Sequence, residues 1–269
     1  MYKVNVSDLR ICQKCPRLFV YYLKGKGKAK IWRIGLSGSG HFPGGLFHDK
    51  IAYVFHEQMA STKITPMKKD MISAVQNALN GPALEKSLSE ILEQYLFIQL
   101  IEKQGMQLKA IQIESLLTGF TLWRKHVVKL ITAAIHHIKN EPSIQLWTQI
   151  FLPPEKLLSA TYQINPTMAL QVSGKYDALM VDIETKEIVI TEFKGLSFGN
   201  EDDDFMQLVL YSWLIKTSTG LSPRGILFYL EEQNPAVYYQ AKQISDAMQH
   251  LLGPLFHQAF LILSALDKK

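Results

Sequence analysis

The chain has 269 residues, 47% hydrophobic and 20% charged, with a formal net charge of +5. This is ordinary globular composition, enough for one large domain or a core with a helical insertion, and it excludes a repeat or low-complexity chain. No apolar run approaches the ~18 residues that span a bilayer, and the start has no signal-peptide pattern, so a cytoplasmic protein without a membrane partner is expected.

Charge is unevenly spread. The first 50 residues hold ten Lys or Arg against two Asp, which suits a polyanionic partner or a solvated basic arm. Ser7-Asp8 reads as a helix cap for residues 7–24, and Pro16 as the start of a second helical piece. Cys12 and Cys15 form a lone C-x-x-C. Two thiols do not close a four-ligand site and no cysteine follows, so reduced structural thiols are expected and no iron–sulfur cluster. The Gly- and Lys-rich interval 24–45 reads as a loop, within a basic segment 1–45. The amines of Lys24, Lys26, Lys28 and Lys30 suit phosphates, and Trp32 suits either stacking on a base or anchoring a core.

Gly44 to Met59 predicts a helix whose apolar face is Leu46, Ile51, Val54 and Phe55. His48 and His56 lie two turns apart on it, too far to form a tight pair, and His56 reads as a surface or packing residue. Residues 66–140 are helical in pattern almost throughout and predict an insertion that covers one side of a sheet. His126, His136 and His137 there lack the carboxylate spacing of a metal site. After the break at Asn140-Glu141-Pro142, residues 143–150 and 158–164 read as strands, with Glu155 between them as a turn residue or an extra acidic group.

Residues 170–181 read as one strand carrying Asp177, and 182–186 as a turn. Residues 187–194 read as a second strand with Ile188, Ile190, Glu192 and Lys194 on one face. Two charges then end an apolar face, where burial is costly unless they are paired or bind a metal. If the strands pair antiparallel, Asp177 lies beside them. An acidic loop, 195–204, follows; Asp204 is the expected cap of a helix over 205–217. Apolar 226–230 and 236–240 predict paired strands, and 244–266 a closing amphipathic helix. The fold class is α/β, a mixed central β-sheet over 143–240 flanked by helices.

In order along the chain, Gly174-x-x-Asp177, Glu192-x-Lys194 and Gln207-x-x-x-Tyr211 resemble the PD-(D/E)XK nuclease superfamily. A His after a Gly on an early helix, here His48 after Gly44, resembles its RecB-like branch, which includes CRISPR-associated exonucleases. The segment from Ser7 to Arg17 is similar to the family's opening, which packs near the DNA entrance. The resemblance covers about residues 42–230. It implies a single nuclease domain over 1–269, with a restriction-endonuclease-like catalytic core at 143–269. It also implies a metal-dependent DNA nuclease acting in DNA repair or defence against foreign DNA, with a helicase or other nucleic-acid-processing protein as partner. A catalytically inactive DNA-binding subunit of a larger assembly is the alternative.

The residue types suit that chemistry. A divalent ion neutralises phosphodiester charge and activates water, and Mg²⁺ prefers oxygen ligands. The resemblance implies Asp177, Glu192 and the Phe193 carbonyl as ligands of Mg²⁺ or Mn²⁺, with the His48 nitrogen tilting preference toward Mn²⁺. Lys194 would orient water or stabilise charge on phosphorus, and Gln207 and Tyr211 would hold the backbone or brace Lys194. Arg17 joins the basic loop in contacting nucleic acid. The plainer reading leaves Asp177 at a strand end in solvent and Glu192 paired with Lys194 on the surface.

Overall fold

The computed structural model describes residues 1–23, 46–77, 81–134, 144–182, 185–194, 201–229 and 236–267. The loop of Lys24, Lys26, Lys28, Lys30 and Trp32, with Gly44, lies outside the described residues, as do His136 and His137. Strand β1 (Tyr2–Asn5) turns into α1 (Val6–Lys14) at a capping box. The Asn5 side chain accepts from the Asp8 N–H at 2.8 Å, and the Asp8 carboxylate accepts from the Asn5 N–H at 2.9 Å. The cap is therefore Asn5, not Ser7-Asp8: two orphan N–H groups are satisfied reciprocally there. Pro16 does start a helix, α2 (Pro16–Leu23).

A π-turn, His48–Ala52, leads into α3 (Tyr53–Ala60). Then come α4 (Pro66–Asn77), α5 (Gly81–Leu92), a π-segment (Glu93–Ile98), α6 (Gln99–Gln104), α7 (Ala110–Ala133) and α8 (Ile144–Ile150). The strands follow as β2 (Phe151–Leu152), β3 (Leu157–Asn165), β4 (Met168–Lys175), β5 (Ala178–Val181) and β6 (Ile188–Lys194). Helix α9 (Glu201–Thr219), β7 (Arg224–Tyr229), β8 (Ala236–Tyr239), α10 (Ala241–Ala247), a π-segment (Met248–Leu252) and α11 (Gly253–Asp267) close the chain. No helix of the described residues is long and apolar enough to cross a membrane.

The strands form two sheets flanked by helices, ordered β1-β4-β3 and β2-β5-β6-β7-β8. In the larger one β6 pairs antiparallel with β5 and parallel with β7, so the sheet is mixed. Both faces of β6 are buried, as expected of a strand with a parallel neighbour covered by helices. Val189 and Phe193 face a core built from α3 to α8, which covers one side of this sheet. Ile188 and Ile190 face the opposite core, made of α1, α9, α10, α11 and the smaller sheet. Helix α9 lies between the two sheets and touches β3, β4, β6 and β7. Its buried residues lie all round the helix, as its position requires.

Two expectations are corrected here. The stretch 170–181 is two strands in different sheets, switching at Tyr176-Asp177, where the Tyr176 hydroxyl donates to the Pro153 carbonyl at 2.9 Å. Residues 144–150 form a helix, not a strand. Trp147 and Ile150, one turn apart, are both buried, and the Trp147 ring stacks on Phe151. That packing outweighs a β-leaning composition.

The fully buried Lys68 ammonium donates to the carbonyls of Met59 (2.8 Å) and Ser61 (2.6 Å), capping the C-terminus of α3 from the next helix. Burial lowers its pKa to about 8. His56 is buried, with no hydrogen-bond partner for Nδ1. Burial, then the charges of His126 and His48, lower its pKa to about 3; burial and then Lys129 lower that of His126 to about 4. Both rings stay neutral in the fold but protonate in the unfolded chain near the ordinary value of 6.5. Stability should therefore be lost as pH falls below that value, by at most about 1.4 kcal/mol per pH unit for each ring. Urea midpoints of His56→Leu followed from about pH 7 to pH 5 should fall less steeply than those of wild type. Parallel curves would mean that His56 is not what titrates.

Candidate active site

Asp177 and Glu192 meet where β5 begins and β6 ends. Ala178 is the register partner of Thr191, so the two acids occupy the next position of the ladder. There the strands part, and side chains replace the ladder. The Asp177 N–H donates to Glu192 Oε1 at 3.3 Å, and the Phe193 N–H donates to Asp177 Oδ2 at 2.8 Å. Each carboxylate is thus held by backbone at the residue carrying, or following, the other. Glu192 is fully buried and Asp177 is not, so the pair has a floor and a mouth. The surface-pair reading of Glu192 and Lys194 fails on that burial.

Around this pair the described residues converge. Lys194 Nζ lies 3.7 Å from Glu192 Oε2 and 3.5 Å from Asp204 Oδ1. On α9, Gln207 Nε2 donates to Glu192 Oε2 at 2.9 Å, and Gln207 Oε1 accepts from Lys194 Nζ at 2.6 Å. Tyr211, one turn further, is buried, with the Gln207 side chain beside its hydroxyl. From the opposite side, the π-turn brings His48 Nε2 to 3.4 Å from Asp177 Oδ1, while Nδ1 meets Asp49 Oδ1 at 3.0 Å. Buried Ile51 and Phe55 fix that turn in the core. Glu155 Oε1 lies 4.0 Å from His48 Nε2. Its backbone is left-handed (φ 50°), a strained conformation for this residue, and its N–H donates to the Tyr176 carbonyl at 3.0 Å. Arg17 is exposed on α2 and takes no part in the cluster's contacts.

Electrostatics follow from the packing. Burial, then the Asp177 charge, raise the Glu192 pKa, and Lys194 and the Asp177 N–H only partly oppose them. At His48 burial alone would favour the neutral ring, but the bonds and charges of Asp177 and Asp49 outweigh it and raise the pKa to about 9. Burial, followed by the charges of Glu192 and Asp177, keeps the Tyr211 hydroxyl protonated. Among the described residues no three His, Cys, Asp or Glu side chains already converge as a metal-binding group. The donor kinds nonetheless suit a hard divalent ion: two carboxylates with an imidazole whose Nε2 faces the Asp177 carboxylate at 3.4 Å. Cys12 is buried, its thiol pKa pushed up to about 11 by burial, and Cys15 is partly buried; both thiols are free.

Three participants were not legible in the sequence. Arg10 Nη1 donates to Gln207 Oε1 at 2.6 Å. Asp204, expected to cap a helix, instead lies within α9, buried between Arg10, Lys194 and the Tyr229 hydroxyl. Asp49 orients the His48 ring. The one available signal was charge: a basic chain start and an acidic first turn of α9, from Glu201 to Asp204. No protein-family model matches the chain, and no curated protein is detectably similar to it.

Gly174 explains itself by contact. A Cβ there would stand 2.7 Å from Val6 Cγ2 and 2.8 Å from Tyr211 Cε1. Gly174→Ala should displace the Tyr211 ring or α1 and lower unfolding free energy by about 1–3 kcal/mol in denaturant titration. Unchanged stability would show that the contact relaxes without cost.

Proposed function

We propose that the chain is a metal-dependent deoxyribonuclease of the PD-(D/E)XK superfamily, RecB-like branch, with a restriction-endonuclease-like core. The observation that carries this reading is the reciprocal lock of Asp177 and Glu192, with Lys194 Nζ 3.7 Å from the buried carboxyl. The succession of the β5–β6 pair, helix α9 with Gln207 and Tyr211, then β7 parallel to β6 also supports it. Asp177, Glu192 and His48, with the Phe193 carbonyl, would hold Mg²⁺ or Mn²⁺, which when bound neutralises phosphodiester charge and makes water a better nucleophile.

The chain's own groups do the rest. Asp177, at the mouth, meets the incoming phosphate region first. Glu192, shielded from solvent, is kept in one orientation by the Asp177 N–H and Gln207. The Lys194 ammonium, fixed by Gln207 and largely buried, supplies positive charge where negative charge grows on phosphorus. His48 brings a nitrogen donor to one edge, its far nitrogen held by Asp49. DNA as substrate, a role in repair or defence, and a helicase or other nucleic-acid-processing partner are the setting that the resemblance implies.

The test is incubation with single- and double-stranded DNA, linear and circular, in Mg²⁺, Mn²⁺ or EDTA. Cleavage should occur with metal and stop with EDTA. Asp177→Asn and Glu192→Gln, which preserve shape, should each lower it by about 100-fold or more while circular dichroism stays native. Full activity in either variant, or cleavage in EDTA, would overturn the reading. In the same assay His48→Gln should depress Mn²⁺-supported cleavage more than Mg²⁺-supported cleavage, because it removes the one nitrogen donor. Equal losses in the two metals would remove His48 from the ligand set.

A further inference from the structure

We infer that Arg10 is a positioning residue that fixes the orientation of the Gln207 carboxamide and, through it, the Glu192 carboxyl and the Lys194 ammonium. The kinetic consequence rests on the nuclease reading; the orientation itself rests on geometry alone. A carboxamide has two orientations of nearly the same shape, differing in which end accepts and which donates. Here Gln207 Oε1 accepts from two cations, Arg10 Nη1 and Lys194 Nζ, each at 2.6 Å. Its Nε2 donates to Glu192 Oε2 at 2.9 Å. Turned over, the amide would set its NH₂ against both cations and its oxygen against a carboxyl oxygen.

Lys194 alone does not enforce that choice. Its ammonium is a point charge on a flexible stem, and Asp204 Oδ1 lies only 3.5 Å away. Arg10 is different on three counts. Its planar fork reaches Gln207 Oε1 through Nη1 and Asp204 Oδ1 through Nη2, at 3.4 Å, at the same time. It thereby shares the Asp204 charge that would otherwise draw Lys194 from Glu192. And α1 holds its base still: Val6, Leu9 and Cys12 are buried, and Lys14 bonds Asp203 at 3.0 Å on the first turn of α9. Among the described residues Arg10 bonds Gln207 and the acids of α9 but neither Asp177 nor Glu192, so it acts through Gln207.

The experiment compares Arg10→Met and Arg10→Lys, alone and with Gln207→Ala. Arg10→Met should lower kcat about 10- to 100-fold with KM little changed. It should lower kcat little further in the Gln207→Ala background, and Arg10→Lys should recover only part of the loss because it lacks the fork. Wild-type kcat in Arg10→Met, or a loss that multiplies fully onto that of Gln207→Ala, would overturn the inference. A second readout needs no catalysis: the Gln207 side-chain amide NMR signal, assigned by its disappearance in Gln207→Ala. It should move in Arg10→Met, or in Arg10→Lys should the former fail to fold, and an unmoved signal sinks the proposal. If wild type cleaves no DNA with any metal, the nuclease reading falls while the amide signal still decides Arg10.

Discussion

A carboxyl group with no exposed surface is the constraint around which this molecule is arranged. Glu192 lies near the end of β6, where an apolar residue would cost nothing to bury, and desolvation favours its neutral form. The fold answers with donors rather than with solvent: a backbone N–H on one oxygen, a carboxamide on the other and an ammonium nearby. Removing any of these donors leaves a buried polar group short of partners, which typically costs about 1–3 kcal/mol. The arrangement therefore stabilises the fold little and fixes one geometry firmly, as is expected of a site and not of a core.

The two-sheet layout makes that geometry possible. One continuous stretch supplies β4 to the small sheet and β5 to the large one, and its change of sheet falls at Tyr176-Asp177. The ladder must be interrupted there, and the Asp177 carboxylate takes the Phe193 N–H that a strand carbonyl would otherwise accept. Helix α9 fills the space between the sheets and delivers Asp204, Gln207 and Tyr211 from one side. The π-turn delivers His48 from the other, and such irregular turns often occur at functional sites.

Much of this could be read from the chain because the informative segments are short and strongly patterned. Alternation alone placed Ile188, Ile190, Glu192 and Lys194 on one face, and the structure puts that face against α9. Local pattern failed wherever a distant partner decided the outcome. Residues 144–150 have a β-leaning composition, yet they form a helix with Trp147 stacked on Phe151. The break at Asp177 depends on an N–H sixteen residues away in sequence. Strand β1 is only four residues long and exists through parallel pairing with β4, Tyr2 opposite Leu170. Arg10 reaches across 197 positions to Gln207, a distance at which no spacing rule operates.

The parallel pairing of β1 with β4 also explains why the chain's start belongs to the site at all. Register sets Asn5 opposite Ser173, so the capping box that begins α1 is anchored one residue before Gly174. Val6 then presses against the space a Gly174 side chain would need, and Tyr211 presses from the other side. Strand, helix start and α9 meet at one point. One turn further along that helix stands Arg10, whose guanidinium meets the two residues of α9, Asp204 and Gln207, that also hold Lys194. A glycine, a cap and a four-residue strand thus set the direction of a cation that touches the network only at its outer edge. Loosening any of the three would reach both the Lys194 ammonium and the Glu192 carboxyl through Gln207.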